Sequence, residues 1–90
     1  MKKAIITVVG RDTVGIIANI CTYLAEKKIN ILDISQTIVS GYFNMMMIVD
    51  MSDTQEDFTS IQNKIEELGK SIGVIIKAQR EDIFDMMHRI

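Results

Sequence analysis

Hydrophobic and polar positions alternate between two periods along this chain, and the switches between them mark the elements. Ala4 to Val9 is a short β-branched run closed by Gly10; apolar on both faces, it predicts a strand in the interior of a sheet. From Val14 to Lys28 the apolar residues fall at Val14, Ile17, Cys21 and Leu24, flanked by Ile16, Ile20 and Tyr23, which is a helical stripe. Asp12 or Thr13 is placed to cap that helix, Lys27 and Lys28 suit its negative end, and Asn30 suits a left-handed turn after it. Ile31 to Ser40 alternates as a strand, with Leu32, Ile34 and Ile38 on one face and Asp33, Ser35 and Thr37 on the other. Gln36 falls on the apolar side and breaks the pattern. Gly41-Tyr42 links this strand to the next, Phe43 to Asp50, where Met45-Met46-Met47 puts methionine on both faces. A second helix is expected from Ser52–Thr54, with Asp53 and Glu56 spaced as a capping box and Phe58, Ile61, Ile65 and Leu68 as its buried stripe. It exits near Gly69 or Gly73 into a last strand that ends about Arg80. Glu81 to Ile90 closes the chain as a short helical tail, with Ile83, Phe84, Met86, Met87 and Ile90 covering more than one of its faces.

The order βαββαβ predicts an α+β, ferredoxin-like fold: a four-stranded antiparallel sheet with two helices on one face, since right-handed crossovers pack both helices on the same side. Residues 1–80 form the domain, and 81–90 are a helical extension of it. The face without helices is too apolar for water. It carries Ile5, Thr7 and Val9, then Asp33, Ser35 and Thr37, then Ile75, Lys77 and Gln79; with Met46 and Ile48 turned toward the helices, it also carries Phe43, Met45, Met47 and Val49. Either the tail or a second copy of the chain must cover part of it, each buried apolar side chain being worth about 1.5–3 kcal/mol. A homo-oligomer is the expected outcome, because a 90-residue chain has a thin core and closed dimers are the commonest assembly.

Composition removes several function classes. Apolar residues at 48% and charged residues at 24%, with no proline, describe a folded domain rather than a linker. The net charge is −2 and the basic residues are scattered, so nucleic acid is not an expected partner. No apolar run approaches the roughly 18 residues of a membrane span, and no leader with a long apolar core opens the chain, so the expected location is the cytoplasm. Cys21 and His88 are the sole cysteine and histidine. Within one chain they allow no disulfide, thiolate cluster or histidine pair, and neither a metal nor a cofactor is expected. Catalysis is not expected either. His88 stands alone in the tail, Cys21 sits mid-helix as a small hydrophobe, and nothing marks a cleft around Asp12, Asp33 or Asp50.

The strongest local signal is Gly10-Arg11-Asp12-Thr13-Val14-Gly15. Here a strand ends, glycine permits a tight turn and a helix begins, so the first helical amides lack internal partners and the dipole favours a negative group. The carboxylate of an amino acid suits that position; Asp12 satisfying the same amides is the other reading. The spacing is neither the dinucleotide fingerprint nor a phosphate-binding P-loop.

The stretch from Thr7 to Ile16 resembles the opening of an ACT domain, in which a strand delivers a G-x-D-x-x-G-I turn to the first helix. Val14 stands where that family often has proline. Lys28 to Gln36 resembles the family's entry into its second strand, and the likeness runs over residues 3–80 and into the tail for a single-domain subgroup similar to the N-terminal part of the glycine cleavage system regulator. The resemblance implies a regulatory module whose copies pair side by side or face to face, with a small amino acid at the interface near the first strand–helix turn. The ligand-binding candidates it implies are Gly10, Asp12, Thr13, Val14 and Gly15, with Asn30 reaching across the interface and Asn19 a weaker member. An assembly module without a small ligand is the alternative.

Overall fold

In the computed structural model, which describes residues 2–11 and 14–82, the elements run β1 (Lys3–Arg11), α1 (Ile16–Glu26), β2 (Asn30–Val39), β3 (Tyr42–Asp50), α2 (Phe58–Ile72) and β4 (Val74–Arg80). The strands form one antiparallel sheet in the order β2-β3-β1-β4. β1 therefore lies between two neighbours, as its two apolar faces require, and β2 and β4 are the edges. This is the expected ferredoxin-like α+β fold. The proposed helical tail from residue 83 onward lies outside the described residues.

The core lies between the sheet and the helices. Ala4, Ile6 and Val8 of β1, Phe43, Met45, Met47 and Val49 of β3, and Val74, Ile76 and Ala78 of β4 meet Ile16, Ile20 and Leu24 of α1 and Ile61 and Ile65 of α2, all buried. The faces of β3 are thus the reverse of the expected ones. Phe43, Met45, Met47 and Val49 point to the helices, while Asn44, Met46 and Ile48 point away. The stripe of α1 is likewise Ile16, Ile20 and Leu24, with Ile17 exposed and Cys21 half-buried.

Both helices start later than expected. α1 begins at Ile16 behind Gly15, whose φ of 91° makes it the N-cap residue, so neither Asp12 nor Thr13 occupies the capping position and Val14 precedes the helix. α2 begins at Phe58, where the Asp57 carboxylate accepts a 2.8 Å hydrogen bond from the Ser60 amide. Asp53 and Glu56 belong to the irregular segment before it. There, the Asp50 carboxylate accepts from both the amide and the hydroxyl of Ser52 (3.0 and 2.6 Å). After α1 the left-handed residue is Lys28, at φ 60°, and Asn30 is already the first residue of β2. The β2–β3 hairpin closes through Ser40-Gly41, both at positive φ (52° and 82°) between the paired Val39 and Tyr42, which is the two-residue turn that matches strand twist.

Candidate functional site

Gly10 lies near the end of β1, opposite Phe43 on one side and Val74 on the other. A Cβ there would stand 2.7 Å from Val74 Cγ1, so glycine is needed for β4 to approach. Arg11 follows, exposed and paired with Tyr42; the sequence reading did not select it, although it is the cation closest in sequence to the turn. Asp12 and Thr13 lie outside the described residues. Val14 is fully exposed at 104% of its reference area. The Gly15 carbonyl accepts from the Asn19 amide at 2.9 Å and from Asn19 Nδ2 at 2.8 Å, which gives Asn19 the task of fastening the turn to the first helical turn. Among the described residues, no side chain accepts a hydrogen bond from the amides of Ile16, Ile17 or Ala18. Among the described residues the first amides of α1 thus have no side-chain partner, and the positive end of the helix dipole there suits a carboxylate.

Asn30 is not beside this turn. It pairs with Asp50, which pairs with Lys3, at the opposite end of the sheet. Gly10 lies seven residues along β1 from Lys3, a separation of about 23 Å at strand rise. Asn30 sits instead with Ala25, Lys28, Ile29 and Asp53 around a shallow depression. Within one chain the candidates divide between two ends of the molecule.

Two other concavities exist. One, of about 540 Å³, lies between the start of β1 and the start of α2 and mixes Lys2, Lys3 and Arg80 with Glu56, Asp57, Glu81 and Asp82. The other is a groove of about 230 Å³ on the uncovered sheet face, over Thr7, Val9, Ser35, Thr37, Asn44 and Met46. Among the described residues, no three His, Cys, Asp or Glu side chains converge as a metal site, and no helix is long and apolar enough to cross a membrane. His88 lies outside the described residues.

The charged groups that do interact tie the helices together. Glu56 is 3.2 Å from Lys27 Nζ at the end of α1 and also pairs with Lys64 of α2. Hydrogen bonds from Lys64 and then Lys27 hold its carboxyl below the usual range. Burial, and then the Glu56 charge, push the Tyr23 phenol above its ordinary value.

The least covered element is β2. Nine of its ten residues are exposed, among them Leu32, Ile34, Ile38 and Val39 at 41–61%. The sequence carries this signal in its four large hydrophobics, but alternation alone places three of them, Leu32, Ile34 and Ile38, on a face toward a core that does not extend that far.

The sequence profile of the ACT domain matches residues 2–79, and the chain belongs to the ACT domain family, a class of regulatory modules. It is 62% identical to a UPF0237 protein of Bifidobacterium longum over 90 residues, covering both chains completely. Among solved structures, an ACT domain protein from Streptococcus pneumoniae superposes with a TM-score of 0.82 at 46% identity, covering 93% of this chain and 94% of that one. A protein described as a glycine cleavage system transcriptional repressor shares the fold, with a TM-score of 0.77 at 23% identity over 88% of this chain and 45% of its own length.

Proposed function

We propose that this chain is a regulatory module that binds a small amino acid at the β1–α1 turn, with the site completed by a second copy. The observation that supports the reading is the start of α1: Gly15 is its N-cap and supplies no side chain, and no described side chain accepts from the amides after it. An α-carboxylate fits those amides, and Gly10 and Gly15 keep side chains out of its way. The ammonium group needs an acceptor, which Asp12, Thr13 or Asn30 of the second copy supplies. In one chain Gly10 and Asn30 lie at opposite ends of the sheet, which is the reason a partner is required.

The test is a thermal-shift screen of the purified protein against the twenty amino acids, glycine and serine first, with mass in solution recorded beside it. One amino acid is expected to raise the melting temperature in a stereospecific way, because a ligand that binds only the folded state stabilises it by mass action. Replacing Gly15 by a bulky residue is expected to abolish the shift. A flat screen overturns this reading. It would favour an assembly module without a small ligand, for which the exposed apolar residues of β2 are the specific observation.

A further inference from the structure

We propose that the last residues of the chain, Ile83 to Ile90, form a helix that lies across the helix-free face of the sheet and covers Ile5 and Ile48. This is independent of the amino-acid site proposed above. It rests on where burial falls on that face, where the chain leaves the sheet, and what the last residues are.

Ile5 is the first observation. Its neighbours Ala4 and Ile6 belong to the core beneath the helices, so Ile5 points to the other side of the sheet. An antiparallel sheet with helices on one face meets solvent on the other. Ile5 is nevertheless only 6% exposed, and it stands outside the core cluster. Val9 is the control: on the same face of the same strand, with a neighbouring strand on either side, it is 44% exposed. The adjoining strands repeat the gradient. Ile48 of β3 and Gln79 of β4 are half-buried, whereas Met46 and Ile75, further along, are exposed. Ile48, Ile5 and Gln79 form one row across three strands. The cover is therefore a bar over that row rather than a layer over the whole face. The burial holds within a single chain, so a second copy does not supply it.

The second observation is the exit of β4. Gln79 pairs with Ile5 and Arg80 with Ala4, so the chain leaves the sheet beside the buried row. Glu81 and Asp82 are already helical. Asp12 and Thr13 follow β1 at its far end, and residues 83–90 are the one run outside the described residues long enough to cross the strands.

The third is the character of that run. At 3.6 residues per turn, Ile83, Phe84, Met86, Met87 and Ile90 spread over one broad arc of roughly 160°, and the polar residues take the rest of the circumference. Such a helix has one wide side to bury and one to leave in water. Its length fits as well. A helix over 81–90 is about 15 Å long, and four strands span three spacings, about 14 Å. It can start at the β4 edge and reach across β1 and β3.

The tail so placed closes the face at the end of the sheet away from the β1–α1 turn. Val9 and Ile75, paired next to that turn, stay open. Two copies meeting face to face over Ile5 would first have to displace the tail.

The experiment is nuclear Overhauser spectroscopy on the full chain. Cross-peaks are expected from the methyl groups of Ile5 and Ile48 to the Phe84 ring and the Met87 methyl, and none from Ile75. In a sample refolded from equal parts of labelled and unlabelled chains, those cross-peaks are expected to be missing from the isotope-filtered spectrum, which retains contacts between chains alone. Phe84→Ser with Met87→Ser in the full chain is expected to shift the Ile5 and Ile48 methyl resonances strongly and to leave those of Ile20 and Ile61 in the core nearly in place. Tail cross-peaks that are absent, or that run to Ile75 instead, overturn the proposal. Cross-peaks that pass the filter overturn it in favour of a tail exchanged with a second copy. An Ile5 resonance indifferent to the double substitution overturns it too. The wild-type spectra decide the matter if that variant does not fold.

Discussion

Among the described residues, the half of the molecule built from α2 and β4 is capped and covered, whereas the half built from α1 and β2 is left open. α2 starts behind Asp57, which caps it, and Glu56 beside it is paired with two lysines. The helix lies so close to β4 that a Cβ on Gly69 would stand 2.8 Å from the Val74 carbonyl, and Gln62 Nε2 donates to the Ala78 carbonyl at 2.7 Å. β4 itself carries Lys77 and Arg80 toward its end, charges that discourage edge pairing. On the other side, α1 starts at a glycine, and β2 ends the sheet with no element among the described residues against its edge and no lysine along it. Both halves come from the same strand–helix–strand unit, so the difference is not imposed by topology.

The comparison is broken most severely from the closed half. Ile65→Ala removes a side chain with no solvent exposure and is expected to cost about 2–5 kcal/mol in urea denaturation. Ile38→Ala, on the open edge where its side chain is largely exposed, is expected to cost under about 0.5 kcal/mol. Next in size, Gly15→Ala forces a Cβ into a φ of 91°, a cost of about 1–2 kcal/mol, and is expected to lose any amino-acid shift. Asp57→Ala removes the α2 cap for about 1 kcal/mol and is expected to leave that shift intact, because the closed half takes no part in it.

The smallest effect is acid-dependent. The folded-state pKa of Glu56 lies below its ordinary value because Lys64 and Lys27 bond the carboxylate. Its contribution is therefore complete above the ordinary value and lost as pH falls through the lower folded value. Glu56→Gln is expected to flatten the acid limb of a stability-against-pH curve while leaving the amino-acid shift unchanged.

Much of this contrast was legible in the residues, and the misses have physical causes. The strand and helix order, the interior place of β1 and the hairpin all follow from period and turn chemistry. The faces of β3 did not, because Met45-Met46-Met47 offers no polarity difference; Asn44 was the marker of the open face. The pattern starts α2 at Ser52–Thr54 because Asp53 and Glu56 mimic a capping box, yet Asp57 and Ser60 make the actual cap one turn later. It starts α1 at Val14 behind a cap at Asp12 or Thr13 because polar residues cap better than glycine, but the left-handed bend falls at Gly15. The division of Gly10 and Asn30 between two ends of the sheet is a matter of register, which one strand's pattern does not contain. Ile34 and Ile38 read as core because alternation reports a face and not how far the helices extend over it.

Calorimetric titration of the protein with the amino acid that the thermal screen selects, at chain concentrations that sedimentation shows to favour and to disfavour self-association, tests most directly whether a second copy completes the ligand site. Binding is expected to weaken as the chains separate. Equal affinity at every concentration would contradict the proposed shared site.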